Sequence, residues 1–175
     1  MSLFRGSLGT ISMSEPPFLT ALRDWLTSQG VAYREVHHEP TTTSEQSAQA
    51  RGEELRVGGK ALLMKGDDDQ FRLFVLPANR KVDSAALRQK FGFKRLRFAT
   101  ADELKAATGL VPGSVPPFGR PILPFDLYLD SALTSNDHIA FNAGALTDSM
   151  IVPMSDYLRV AQPADCFPFS VEAEA

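Results

Sequence analysis

After Pro16-Pro17, apolar residues recur at spacings of three and four: Phe18, Leu19, Leu22, Trp25 and Leu26 share one face of a predicted helix. Pro17 suits its first turn, where a missing N–H costs nothing, and Gly30 suits its stop. Residues 31–36 then read as a short strand ending at His37-His38-Glu39-Pro40. Thr43 with Gln46 three residues later forms a capping-box pattern, opening a second helix that Arg51-Gly52 closes. Residues 60–65 and 71–76 predict two strands joined by the polar turn Gly66-Asp67-Asp68-Asp69. Asp83 can cap a helix running to Lys90, 95–98 alternates as a strand, and Thr100 can cap a helix over 101–107. A loop rich in Pro and Gly covers 109–124; strands are expected at 125–129, 138–142 and 149–152, then a helical turn or two over 155–160. This order is neither βαβ repetition nor a pure sandwich, so it predicts an α+β fold, a mixed sheet with helices packed against it. Residues 1–15 read as a flexible leader, 16–162 as one domain, and 163–175 as a C-terminal tail that packs poorly.

Composition narrows the function classes. Among 175 residues, 18 basic side chains face 21 acidic ones, a formal charge of −3, so the chain is no general polyanion binder. Any nucleic-acid contact must come from a local patch. One exists: Arg80, Lys81, Arg88, Lys90, Lys94, Arg95 and Arg97 stand against a single acid, Asp83. It reads either as a solvated helix face or as a phosphate-contacting surface. Cys166 is the sole cysteine, which excludes an internal disulfide and fits a reducing, cytoplasmic compartment. No apolar run reaches the roughly 20 residues that span a bilayer. Neither a phosphate loop, a dinucleotide fingerprint nor a metal-ligand spacing is present, so neither a metal nor another cofactor is expected.

Three places could carry chemistry. Lys60 follows two glycines at the start of an apolar strand; it is either a strand-edge lysine facing water or a cation held against a partly desolvated pocket. Period-two alternation puts Lys65 on the opposite face. The run Gly109-Leu110-Val111-Pro112-Gly113-Ser114-Val115-Pro116-Pro117-Phe118-Gly119 is stiffened by prolines, while its glycines allow close approach to the remaining N–H groups. It is either a rigid connection or a set of fixed donors for an anionic or carbonyl oxygen. Phe141-Asn142-Ala143-Gly144 offers an amide that serves a turn or a ligand. His37 and His38 follow a strand end, and Cys166 lacks a visible activating base.

Taken in order, Thr43-Ser44-Glu45, Arg51-Gly52, Gly59-Lys60-Ala61-Leu62, Val75-Leu76-Pro77, Arg80-Lys81-Val82-Asp83, the 109–119 run and Phe141-Asn142-Ala143-Gly144 resemble the YbaK / prolyl-tRNA-synthetase-associated family. The resemblance spans about residues 18–160. It implies a mixed, partly closed β-structure flanked by helices, and an editing hydrolase that cleaves the ester of mischarged tRNA. The family's essential lysine matches Lys60, and its glycine-to-proline loop matches Gly113, Ser114, Val115, Pro116 and Pro117. A substrate pocket would add Thr43, His38, Phe118, Asn142, Gly144 and Ser149, and Arg80, Lys81, Arg88, Lys94 and Arg95 would contact tRNA. The implied partners are the acceptor end of mischarged tRNA and a tRNA synthetase, with no DNA and no membrane. No synthetase motifs accompany the domain, which implies editing in trans; a non-catalytic binding module and a small aminoacyl-ester hydrolase are the competing classes. Several synthetase-associated members carry Asn after the lysine where this chain has Ala61, so their alanine specificity does not transfer. Ala, Cys, Ser, Pro and non-protein amino acids all stand as candidates.

Overall fold

The computed structural model describes residues 16–173. The expected leader therefore lies outside the described residues. Local capping chemistry sets most element boundaries. Helix α1 (Pro17–Ser28) buries Leu19, Leu22 and Leu26 on one face, and β1 (Arg34–His37) follows. In α2 (Ser44–Arg51) the Thr43 hydroxyl accepts from Gln46 N–H at 3.1 Å. The Gln46 side chain reaches back to Thr42 N–H, one residue before the cap, so the box is closed on a different donor. Strands β2 (Gly59–Gly66) and β3 (Phe71–Pro77) form the expected hairpin, with Lys60 opposite Leu76. Then come β4 (Arg80–Val82), α3 (Ser84–Phe91) capped by Asp83, β5 (Leu96–Phe98), and α4 (Ala101–Thr108) with a complete Thr100/Glu103 capping box. The remainder is β6 (Asp126–Asp130), β7 (His138–Ala145), β8 (Asp148–Pro153), α5 (Met154–Ala161), β9 (Asp165–Phe167) and β10 (Ser170–Glu172).

The strands make three sheets: β5-β2-β3-β6-β9, β1-β8-β7 and β10-β4. The first is mixed, with β3–β6 and β6–β9 parallel and the β2 pairings antiparallel. A parallel bridge between Gly58 and Ala140 joins the two larger sheets at one corner. The sheets do not close into a barrel. A Cβ on Gly59 would lie 2.5 Å from Ile139 Cδ1, so glycine before Lys60 is what lets β2 approach β7.

Aromatic volume fills the interior. Phe118 meets Trp25, Phe141 and Tyr157 edge-on with ring centroids 5.3–5.4 Å apart. A second cluster sets Phe74 against Phe91, Tyr128 and Phe169.

The poorly packed tail is not found. β9 extends the large sheet parallel to β6, β10 pairs with β4, and Phe169 is buried beside Phe74. Phe167 and Phe169, two apart, were the available signal, yet their partners lie far away in sequence. The Asp67-Asp68-Asp69 turn is exposed, and its carboxylates are engaged. Asp67 accepts the Lys94 and Arg95 N–H groups, Asp68 pairs with Arg72, and Asp69 with Lys65.

Candidate active site

A cavity of about 160 Å³ opens between the N-terminal end of α2, the start of β2 and the loop preceding β6. Lys60, Thr43, Gly113, Val115 and Asn142 all line it, so five residues singled out in the sequence converge there. The Lys60 side chain makes no hydrogen bond or ion pair among the described residues. Burial pushes its ammonium below the ordinary lysine value of 10.5, and the Glu45 carboxylate pulls weakly the other way. It is therefore a half-buried cation with its donors unused. Lys65, on the other face, pairs with Asp69 and lies 5.0 Å from the Phe71 ring.

The loop is pinned by one short segment of β7. Asn142 Nδ2 donates to the Gly113 carbonyl at 2.7 Å, and Gly144 N–H donates to the Ser114 carbonyl at 2.9 Å. Across a trans peptide the C=O and N–H point in opposite directions. Holding the Ser114 carbonyl against Gly144 thus aims the Val115 N–H away from β7, and neither it nor Gly113 N–H has a protein acceptor among the described residues. The β7–β8 register breaks between Asn142 and Ala145, and this bulge lets side chain and backbone both reach the loop. Gly144 sits at φ 86°, and a Cβ there would meet Phe18 Cδ1 at 2.5 Å.

Arg51, which the sequence offers as a helix end and as part of the Arg51-Gly52 motif but not as a site residue, lines the cavity at 8% exposure. Its Nε donates to Ser149 Oγ at 2.9 Å and its Nη2 to Asn142 Oδ1 at 3.0 Å. Both partners are neutral, and burial lowers the guanidinium to about 10 against a weak opposing pull from Glu53. Arg51, Asn142 and Gly113 form a continuous chain from a buried cation to the loop. Its place in the Arg51-Gly52 motif was the available signal for it.

Other expected residues brace the site and do not line the cavity. His38 Nε2 meets Ser149 Oγ at 2.8 Å and its Nδ1 meets the Glu39 carbonyl at 2.8 Å. Ser149 is fully buried, so this Ser–His pair presents no nucleophile to a ligand. The Ser114 hydroxyl closes its own turn on the Val111 carbonyl. Pro116 and Pro117 are buried, Pro117 accepts from the Tyr157 hydroxyl, and Phe118 is core. In the basic segment, Lys90 pairs with Asp165, Arg97 with Glu103, and Arg80 donates twice to Ser170. The side chains of Lys81, Arg88, Lys94 and Arg95 have no such acceptors among the described residues.

Among the described residues no cluster of metal-ligating side chains is found, and no helix is long and apolar enough to cross a membrane.

The aminoacyl-tRNA editing domain family matches residues 38–160. A multifunctional Ser/Thr-tRNA deacylase, ProXp-y, from Escherichia coli K12 is 38% identical over 143 residues, 79% of this chain and 84% of that protein. A proline–tRNA ligase from Shouchella clausii is 34% identical over 101 residues, 58% of this chain but 17% of the ligase. Among solved structures, a candidate trans-editing enzyme for prolyl-tRNA synthetase shares the fold with a TM-score of 0.77 at 24% identity, covering 91% of this chain and 99% of that one. The cavity with its unpaired lysine lies within the matched region, and the chain belongs to the aminoacyl-tRNA editing domain family, whose reaction is hydrolysis of an aminoacyl-tRNA ester.

Proposed function

We propose that this chain acts in trans on tRNA carrying a small hydroxylated amino acid, and that the Lys60 cavity is where the ester is cleaved. One observation carries the reading: an unpaired, half-buried ammonium shares a cavity with Gly113 and Val115, whose N–H groups have no protein acceptor among the described residues. Lys60 anchors the acceptor end through an ester or terminal phosphate oxygen. The Val115 and Gly113 N–H groups receive the carbonyl oxygen as it becomes an oxyanion, which is where preorganised donors lower a barrier most. Water adds to the carbonyl carbon, the bond to the ribose oxygen breaks, and that oxygen leaves with a proton. No protein nucleophile is required. Arg51 holds Asn142, and Asn142 holds the loop, so the donors stay aimed while the charge develops.

The size of the cavity supports a small acyl group, since about 150 Å³ accommodates a six-carbon ring and a threonyl group has seven non-hydrogen atoms. The relative named as a Ser/Thr-tRNA deacylase points the same way. Threonine was absent from the candidates read from sequence. Lys81, Arg88, Lys94 and Arg95, with the remaining donors of Arg80, supply phosphate contacts for the acceptor stem. Cytoplasmic tRNA and a synthetase that mischarges it are the corresponding partners.

Comparing hydrolysis of Ser-, Thr- and Ala-tRNA with that of the matching methyl esters tests this reading. Turnover of tRNA esters, weakened by salt, with methyl esters left nearly intact is expected. Faster cleavage of the methyl esters would assign a small-ester hydrolase, and inactivity on every substrate would assign a binding module.

A further inference from the structure

One wall of the cavity carries the hydroxyl groups of Thr41, Thr42, Thr43, Ser44 and Ser47; Ser44 is partly exposed, and two others are committed elsewhere. Thr43 Oγ1 caps α2, and Thr42 Oγ1 donates to Gln46 Oε1 at 3.2 Å. Thr41 and Ser47 are different. They are 6% and 5% exposed, both line the cavity, and each hydroxyl has the other as its protein partner, at 2.7 Å. A hydroxyl has one donor hydrogen and two acceptor lone pairs. Their mutual bond uses one hydrogen and one lone pair, leaving a donor and three lone pairs in the wall of a ligand-sized cavity. A ligand hydroxyl needs one donor and one acceptor side by side, and this pair offers both.

The pair is not needed to hold its own backbone. Thr41 N–H already donates to the Leu146 carbonyl at 3.1 Å, and Ser47 N–H to the Thr43 carbonyl at 3.1 Å. We propose that Thr41 and Ser47 together read the β-hydroxyl of the aminoacyl group, making them the residues that separate seryl and threonyl esters from alanyl esters. This rests on the deacylase reading above. A pocket that only matches size discriminates weakly against a missing hydroxyl, whereas one built to bond it leaves its own polar groups unpaired when the hydroxyl is lacking.

The test uses Thr41→Val and Ser47→Ala, singly and together, because both preserve the backbone bonds and Val nearly preserves shape. Single-turnover kcat/KM is measured on one tRNA charged with Ser, Thr or Ala. The double variant is expected to lose about tenfold or more on Ser and Thr while keeping its rate on Ala, so that the preference collapses. Equal losses on all three esters, or an unchanged Ser/Ala ratio, would overturn the proposal; thermal melting checks that each variant folds, and Thr41→Val alone suffices if the double variant does not. Binding of non-hydrolysable 3′-amide analogues of seryl- and alanyl-adenosine separates this inference from its premise. Tighter seryl-analogue binding that the double variant loses, in a wild type that cleaves no ester, would retire the deacylase and keep the hydroxyl reader. Cleavage by the wild type with no Ser/Ala preference would do the reverse.

Discussion

The Asn142 side-chain N–H donates to the Gly113 carbonyl at 2.7 Å. The same residue accepts from Arg51, so the loop's geometry depends on a side chain whose own orientation is fixed by a buried cation. Asn142→Asp separates these duties: a carboxylate still accepts from Arg51 but has no N–H for Gly113 and repels its carbonyl. Single-turnover deacylation should fall about tenfold to a hundredfold, somewhat less than for loss of a direct oxyanion donor. KM and melting temperature should change little. An unchanged rate would mean the loop does not rely on Asn142.

Gly144 meets two demands, positive φ and contact with Phe18. Gly144→Ala should cost about 1–3 kcal/mol of stability in urea unfolding. Because the Gly144 N–H also holds the Ser114 carbonyl, activity should fall even at temperatures where the variant remains folded. Full activity in the folded variant would detach the bulge from catalysis.

Lys60 should titrate below the ordinary lysine value because burial disfavours its charge. The sign follows from linkage. Between the lowered folded value and the unfolded value of 10.5, the unfolded chain binds more protons, so this group's contribution to stability rises with pH through that window. Side-chain NMR of the lysines checks it: Lys60 should deprotonate before the exposed lysines, and Lys60→Met should remove the early titration. Titration together with the surface lysines would contradict a half-buried cation.

Phe169→Ala should destabilise the protein by about 3–5 kcal/mol, the usual cost of deleting a fully buried aromatic ring. A loss below about 0.5 kcal/mol, the range of surface substitutions, would restore the view of a loose C-terminal segment.

What could be read from the chain divides along the distance over which interactions act. The caps at Thr43, Asp83 and Thr100 are local, each side-chain oxygen accepting an N–H three residues on, and all three open the predicted helices. The β2–β3 hairpin was legible for the same reason. Strands β4, β9 and β10 were not, because such short strands are defined by distant partners: β4 and β10 by each other, as with Arg80 and Ser170, and β9 by β6, where Asp165 lies opposite Tyr128. In the site, Lys60, Gly113, Val115 and Asn142 carried recognisable motifs. Thr41 and Ser47 did not, and Arg51-Gly52 carried a motif without a role: a helix-ending arginine and a threonine run look ordinary until folding buries Arg51, Thr41 and Ser47 beside the same cavity.

Lys60 and the 113–115 donors are proposed to act as one hydrolytic site, and Lys60→Ala is the decisive variant. Single-turnover deacylation of Ser- and Thr-tRNA should fall by about a hundredfold or more, the scale of losing a charged group that stabilises a transition state. The melting temperature should hold or rise, since a partly desolvated charge is removed. Undiminished turnover by a folded Lys60→Ala protein would contradict the assignment of this cavity as the active site.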